Sequence, residues 1–504
     1  MTQWKFLCST AFVALVAGNA ALADVTPEEV WANWKALSSS YGQTIATGSE
    51  VRQGDALVIT DLTITSGNEM SDATMTVPRL TFTQMGDGTV TVTMSDSYPM
   101  AIRGAGIEGE ADTLTKLTIS HPGMVIHASG SATETRYDFS GPSVAVKLDG
   151  IEGPADAPKP EELTVEGEIL AIAGNYIVSG TETKSLSSNF TADQAKLVIK
   201  GNNPADGSKV DANVSFSGLT GTSSGKVPAA TTGDFADALK AGASAEGGFT
   251  YASATYEMTV AEAAGDTKLS GSSAGGDLTF AMDAAKLAYG GSAMDVAMAM
   301  SGGQMPFPIN LAYKEGAFSL TMPVSKTEAP SDFSFLTKVV DLTISDAIWN
   351  MIDPSTQLPR EPITVVLDTK GTAKMNVDLL DEKAMMALGD AAPGELHSLD
   401  LSALQIKAAG AEITGTGALT FDNSDLVTFG GVPAPTGQVD LKAVGLNGLL
   451  DKVTAMGLVP EDQIMGTRMM LGMFAKMVDG QPDTMTSTLQ FKDKGFFANG
   501  MQLQ

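Results

Sequence analysis

Thr89-Val90-Thr91-Val92-Thr93-Met94 alternates hydroxyl and aliphatic side chains within a chain of 504 residues. A period of two is typical of an extended strand, because successive side chains point to opposite faces. Similar stretches occur at Ala56–Thr60, Leu114–Ile119, Val144–Leu148, Ile363–Leu367 and Ala373–Val377. Turn residues such as Gly86-Asp87-Gly88 separate them at short intervals. The sequence therefore predicts a mainly β fold of extended antiparallel meander sheets.

A few short helices are predicted near the N-terminus, in the middle and near the C-terminus. Thr26-Pro27-Glu28-Glu29 has the pattern of a capping box with proline at the first helical position, and this helix ends before Gly42. The other predicted helices are Asp346–Ile352 and a terminal helical pair at Asn447–Met456 and Pro460–Val478.

Composition indicates a globular chain with more than one core. Hydrophobic residues make up 43% and charged residues 18%, which excludes disorder of the whole chain. A chain of this length exceeds one ordinary core, and the proline-bounded stretch Pro323–Pro330 is the preferred boundary. We therefore predict an N-terminal β-rich lobe at 24–327 and a C-terminal β-rich lobe at 328–504 that carries the helical pair.

The first 23 residues have the pattern of a cleavable signal peptide. Lys5 precedes the apolar run Phe6–Gly18, and Ala21-Leu22-Ala23 supplies the small residues that a signal peptidase accepts. Cleavage after Ala23 is expected, with Asp24 as the first mature residue and the periplasm as the destination. The single cysteine, Cys8, lies inside the apolar run, so the mature chain would contain no disulfide or thiolate site.

Charge and missing motifs exclude several function classes. A formal net charge of −28 disfavours binding to nucleic acid. The three histidines and the absence of known phosphate, dinucleotide and metal motifs predict no cofactor and no metal site. After the signal peptide no apolar run is long enough to cross a membrane, so no transmembrane segment is expected.

A family resemblance rests on two groups of residues. The first comprises Trp349-Asn350-Met351-Ile352-Asp353-Pro354 and Gln357-Leu358-Pro359-Arg360-Glu361-Pro362. The second comprises Gly445-Leu446-Asn447-Gly448-Leu449-Leu450-Asp451 and Gly457-Leu458-Val459-Pro460. Together they resemble the bacterial domain of unknown function 2125 over most of the mature chain. That family has no established activity or catalytic residues, so the resemblance implies an envelope location. The alternating architecture is also reminiscent of AsmA-type β-sheet proteins that handle lipids, by analogy alone.

Two groups of side chains are candidate ligand or partner surfaces. Trp349, Asp353 and Arg360 lie in or beside a proline-bounded segment and could meet a ligand, although Trp349 could instead fill a core while Arg360 pairs with a carboxylate.

The second group is an i, i+4 ladder of Met465, Met469, Met473 and Met477 on the last helix. Such a ladder usually packs against a sheet, but flexible methionines also suit promiscuous apolar binding, and thioethers can bind Cu(I).

Two function classes follow. The favoured one is a non-enzymatic envelope protein that binds an apolar ligand, such as a lipid, or another envelope protein. The alternative is a secreted hydrolase that uses paired carboxylates and needs neither histidine nor metal. An open sheet with an apolar groove would favour binding, with the methionine ladder at or over its edge, whereas a closed sandwich would bury the same side chains.

Overall fold

The computed structural model describes residues 24–504 except 69–70, 106–111, 154–160, 203–206, 229–234, 264, 304 and 390. The predicted signal peptide, residues 1–23, lies outside the described residues. Strands account for 64% of the residues and helices for 12%, which confirms the mainly β class. The chain forms two compact units: the first ends at Asp277 and includes Ser301–Pro306, and the second comprises Leu278–Met300 and Phe307–Gln504.

The first unit begins with helix α1 (Pro27–Ser40) and continues as antiparallel strands. These strands are β1 (Thr44–Ala46), β2 (Ser49–Gln53), β3 (Ala56–Asn68), β4 (Ser71–Gln84), β5 (Val90–Met94), β6 (Ser97–Gly104), β7 (Thr113–Ser120), β8 (Val125–Ser131), β9 (Glu134–Glu152), β10 (Glu161–Ser179), β11 (Thr183–Asn202), β12 (Lys209–Pro228), β13 (Ser244–Tyr251), β14 (Ser253–Ala261) and β15 (Thr267–Ser273). A short helix, α2 (Phe235–Lys240), precedes β13 and was not predicted.

The strand order of the first unit is a meander with a split. One edge of β4 pairs with β5 along part of its length and with β6 along another part. Strand β5 then pairs with β8, and β6 pairs with β7. Both β8 and β7 pair with β9, where the two branches of the sheet meet again. Strands β9, β10, β11 and β12 then pair in chain order. The predicted antiparallel meander is confirmed.

Helix α1 covers one face of this sheet and creates the core of the first unit. Its capping box is confirmed: the Thr26 hydroxyl accepts from the Glu29 N–H at 3.3 Å, and the Glu29 carboxylate accepts from the Thr26 N–H at 2.9 Å. Trp31 and Trp34 lie with ring centroids 5.8 and 5.3 Å from Phe82. Beneath the helix the large apolar side chains are fully buried, including Ile59, Leu80, Phe82, Ile126 and Tyr137.

The second unit contains the remaining elements. Its strands are β16 (Gly276–Met282) and β17 (Lys286–Gly302), in which the division between units falls, and β18 (Ile309–Pro323), β19 (Ser331–Ile344), β20 (Ile363–Met375), β21 (Gly394–Ala408), β22 (Ala411–Asp422), β23 (Ala434–Val444), β24 (Lys476–Met477), β25 (Thr484–Lys492), β26 (Gly495–Ala498) and β27 (Met501–Gln502). Its helices are α3 (Asp346–Ile352), α4 (Glu382–Leu388), α5 (Leu446–Ala455) and α6 (Glu461–Phe474).

Strands β17 to β23 pair in chain order, and β25 pairs with β23. Helix α3 has the predicted bounds, whereas α4 was not predicted. The terminal helical pair is confirmed, but α6 ends at Phe474 because Lys476 and Met477 pair with β25 as strand β24. Among the described residues, no helix is both long and apolar enough to cross a membrane.

The predicted boundary between residues 327 and 328 falls inside the second unit. The proline-bounded stretch is fastened there by backbone hydrogen bonds. The Val324 N–H donates to the Ala285 carbonyl at 3.0 Å, and the Thr327 N–H donates to the Met375 carbonyl at 3.1 Å. Prolines therefore mark a turn between β18 and β19 at this position.

Candidate functional site

The strand register of the second unit sorts its side chains into an apolar and a polar face. Residues directly paired in antiparallel strands lie on the same face of the sheet. Val365 pairs with Ile406, Ile406 with Ile413, and Ile413 with Ala443. In the neighbouring row Leu367 pairs with Leu404, Leu404 with Gly415, and Gly415 with Leu441. We call this side the apolar face and define it by Phe335, Val365, Ile406, Ile413, Leu441 and Leu489.

The opposite face of the same strands carries hydrogen-bonded polar groups. Lys338 forms an ion pair with Glu315 at 2.7 Å. Further contacts on this face join Gln405 to Glu412 at 2.7 Å, Thr488 to Asp440 at 2.7 Å and Thr372 to Ser398 at 2.9 Å. The sheet is therefore one-sided, as expected where one face meets water and the other meets apolar groups.

The apolar face is open over its central strands. Val365 is 39%, Ile406 43% and Phe335 40% exposed, although each is a large apolar side chain. Tyr289, Phe318 and Leu320, which continue the same rows on β17 and β18, are also exposed. Soluble proteins rarely leave a contiguous apolar surface of this kind uncovered, and such surfaces often mark ligand or partner sites.

Glycines allow side chains to lie flat along this surface. A Cβ atom at Gly415 would lie 2.5 Å from Leu441 Cδ2 and 3.5 Å from Leu404 Cδ2. A Cβ atom at Gly371 would lie 2.9 Å from atoms of the Phe333 ring. Leucine and phenylalanine side chains thus lean over glycines on neighbouring strands. A larger side chain at Gly371 or Gly415 would push these groups away from the sheet.

Three methionines of the ladder lie on α6 and the fourth, Met477, lies on strand β24, and none of the four side chains is packed as core. Met465, Met469, Met473 and Met477 are 46 to 67% exposed, so the expected packing against the sheet is wrong. Only Ile464 is buried on this helix. The C-terminal end of α6 is nevertheless attached to β25, because the Ser487 hydroxyl donates to the Phe474 carbonyl. Ser487 pairs with Leu441 of the apolar face, which places this end of α6 beside that face.

The Trp349 segment uses its candidate residues in internal contacts. Trp349 is buried within α3. Asp353 is fully buried, and its carboxylate accepts from the Leu358 N–H at 2.6 Å and from the Ser355 hydroxyl at 3.3 Å. Burial opposes ionisation of Asp353, but donors from Leu358, Gln357 and Ser355 outweigh it and lower the pKa of this carboxyl below 3.8.

Arg360 completes the same segment from its other end. Its guanidinium donates to Asp346 at 2.6 Å and to Asn350 at 2.5 Å. Arg360 therefore ties the segment that leads into β20 to helix α3. These contacts match the structural interpretation of the segment, whereas its role as a ligand surface stays a prediction.

Other chemistry is sparse among the residues that the structure describes. They contain no group of three or more histidine, cysteine, aspartate or glutamate side chains placed to hold a metal ion. His121 lies at the turn before β8, where the Met124 N–H donates to its carbonyl at 3.2 Å, and its ring is buried against Tyr98. Sequence reasoning did not single out the apolar face. The sequence signal for this face was the alternation within Ile363–Leu367, which places Val365 and Leu367 on one face of the strand and Val366 on the other.

Comparison with known proteins places the chain in a family. Residues 236–501 match the model of a family described as an uncharacterized protein conserved in bacteria, DUF2125. The chain belongs to this family. The match covers the strands and helices that carry the apolar face, and it confirms the resemblance noted in the sequence. No curated protein and no solved structure matches the chain. The analogy to AsmA-type proteins stays a prediction.

Proposed function

We propose that this DUF2125 protein is exported to the periplasm, where it binds the acyl chain of a lipid along the apolar face without changing it chemically. The observation that carries the proposal is the combination of an open apolar face with a hydrogen-bonded polar face on the same strands. Burying exposed aliphatic groups against an acyl chain is favourable by about 25 cal/mol per Å² of apolar surface. An unbranched chain needs no hydrogen-bond partner, which suits a surface made of Val, Ile, Leu and Phe.

The dimensions of the apolar face support an acyl chain. Eight paired strands from β17 to β25 span about 34 Å across the sheet at about 4.8 Å per strand. The hydrocarbon core of a bilayer is two acyl chains thick and measures about 30 Å, so one chain is about 15 Å long. The face can therefore accommodate a whole chain. The glycines at 371 and 415 leave room for neighbouring side chains to lie flat along the apolar face.

Export is supported by the N-terminal sequence pattern. The apolar run Phe6–Gly18 followed by Ala21-Leu22-Ala23 is typical of a cleaved signal peptide. N-terminal sequencing of the purified protein should therefore begin at Asp24. Recovery of an uncleaved chain from the inner membrane would contradict export to the periplasm.

The binding proposal is tested with two matched valines on opposite faces. Val365 lies on the apolar face and Val444 on the polar face, and they are 39% and 38% exposed. Binding of cis-parinaric acid, a fluorescent fatty acid, is measured for Val365→Asn and Val444→Asn. We expect Val365→Asn to weaken binding about tenfold, since an amide placed against the chain loses its hydrogen bonds to water. Val444→Asn should bind like the wild type.

Co-purifying lipid gives a second measurement. Native mass spectrometry of the protein from the envelope fraction should detect bound acyl chains, and Met469→Asp should reduce them, because α6 ends beside the apolar face. Circular dichroism controls for the fold. If the wild type neither binds the fluorescent fatty acid nor carries lipid, or if the two valine variants behave alike, the proposal is wrong.

A further inference from the structure

The connection between β22 and β23 presents aliphatic side chains to water. We call residues Asp425 to Val432 the tip loop. Val427 is 90% exposed, and Leu426 and Val432 are 49% and 54% exposed. A loop of this kind gains nothing in stability from such side chains, because burial is the source of their favourable contribution. Their exposure therefore requires another explanation.

The tip loop is held in place by its own polar groups. The Asp425 carboxylate accepts from the N–H groups of Val427 and Thr428 at 3.2 and 3.1 Å and from the Thr428 hydroxyl at 2.8 Å. Lys494, from the neighbouring turn, donates to the same carboxylate at 2.7 Å. Lys494 and the donors of Thr428 and Val427 hold the pKa of Asp425 well below its ordinary range. The aliphatic side chains are thus displayed by an ordered loop.

Aromatic rings connect the tip loop to the apolar face. The ring centroids of Phe429 and Phe491 are 5.9 Å apart, and Phe491 is stacked on Phe496 at 4.9 Å. Phe491 pairs with Gly437, and Gly437 pairs with Leu419, so these residues lie on the same side of the sheet as the apolar face. An apolar path therefore runs from the tip of the loop onto that face.

We propose that the tip loop docks the protein on a lipid bilayer whose headgroups carry no net charge, with Val427 and Leu426 entering the interface beside the apolar face. The inference rests on the proposed binding of acyl chains and names the place where a chain would pass between bilayer and protein. A few aliphatic side chains suit shallow insertion into a bilayer, whereas a stable protein interface buries about 800 Å² on each partner.

Charge identifies the kind of bilayer. The formal net charge of −28 repels anionic headgroups, so a neutral surface is favoured. The ammonium of Lys494 lies beside the loop, and its side chain is 71% exposed. A lysine at this position can reach a headgroup phosphate while neighbouring aliphatic groups enter the interface. Replacing part of the neutral lipid with anionic lipid should therefore weaken binding.

The test is flotation of the exported full chain with phosphatidylcholine vesicles. Wild type should float with the vesicles. Val427→Asp should reduce the bound fraction about tenfold, because placing a carboxylate in the bilayer interface is energetically unfavourable. Val51→Asp is the matched control, since Val51 is a 46% exposed valine on strand β2 of the first unit. Val427→Ser serves as a milder variant with an intermediate loss.

Two assays separate this inference from the proposed function. Val427→Asp should still bind cis-parinaric acid, whereas Val365→Asn should still float with vesicles. If the wild type fails to float, if Val427→Asp floats normally, or if Val51→Asp loses binding equally, the docking inference is wrong while fatty-acid binding can still stand. Loss of flotation in Met469→Asp with normal flotation of Val427→Asp would assign docking to α6 and overturn the inference. Absence of fatty-acid binding in the wild type would instead refute the proposed function.

Discussion

The covered face of the first unit and the open face of the second unit are built from the same kinds of residue. In the first unit Ile59, Phe82 and Tyr137 are fully buried beneath α1. In the second unit Val365 and Ile406 occupy a similar sheet and remain exposed. The difference is the helix with two tryptophans that covers the first face. Alternation therefore creates an apolar face, and a covering element decides whether that face becomes core or surface.

Removing the covering group should have the largest effect. Trp31→Ala deletes a side chain that is 3% exposed and contacts Phe82, so we expect the first unit to lose about 3–5 kcal/mol of stability. Hydrogen exchange read by mass spectrometry would report the two units separately. The variant should also bind more of an apolar fluorescent probe, since it uncovers part of the first face. Unchanged exchange in the first unit would show that α1 does not stabilise this core.

Two isoleucines sharpen the comparison. Ile59→Ala in the covered face should cost about 2–5 kcal/mol, because it leaves a cavity in a closed core. Ile406→Ala in the open face should lower the stability by less than about 1 kcal/mol, because the side chain is already 43% exposed. The loss would come mainly from the lower strand propensity of alanine. Chemical denaturation with exchange readout measures both. Equal losses would mean that the second face is covered in solution.

The smallest expected effect is a pH dependence confined to the first unit. Burial lowers the pKa of His121 below 6.5, against smaller opposing contributions from its own backbone hydrogen bond and from Asp96. The unfolded chain therefore binds a proton more readily than the folded one. The stability contribution of neutral His121 is complete above pH 6.5 and is lost as the pH falls towards the lower pKa of the folded state.

His121→Phe tests this dependence directly. Phenylalanine keeps the contact with Tyr98 and cannot be protonated. Melting temperatures of wild type and variant between pH 7.5 and pH 5 should converge or cross as the pH falls, because only wild type loses stability to His121 protonation. Parallel curves over this range would show that the histidine does not titrate differently in the folded and unfolded states.

The periodicity of the sequence underestimates the lengths of the strands. The stretch Val144–Leu148 was predicted as a strand, but β9 extends over 19 residues. Residues with positive φ interrupt the long strands, at Asp61 (φ 49°), Ala171 (φ 48°), Asp295 (φ 44°) and Asp341 (φ 54°). At Asp341 the register of β19 with β20 shifts, so the alternation changes phase. A pattern that changes phase within a strand is detected only in pieces.

The short sequence Asp-Leu-Thr-Ile occurs at both Asp61 and Asp341, and in both copies the aspartate has this left-handed conformation. Aspartate adopts it more readily than most residues, which explains the residue type. Sequence alone could not distinguish this shared local conformation from a chance match of four letters. The backbone angle supplied the missing observation.

The sequence by itself determined the mainly β class, the capped N-terminal helix and the helical pair, because these depend on alternation and capping between residues close in the chain. Only the tertiary structure decided which apolar side is covered and that the methionines of α6 are exposed. Burial depends on contacts between residues far apart in sequence, such as Trp34 and Tyr137, and no local pattern specifies these contacts.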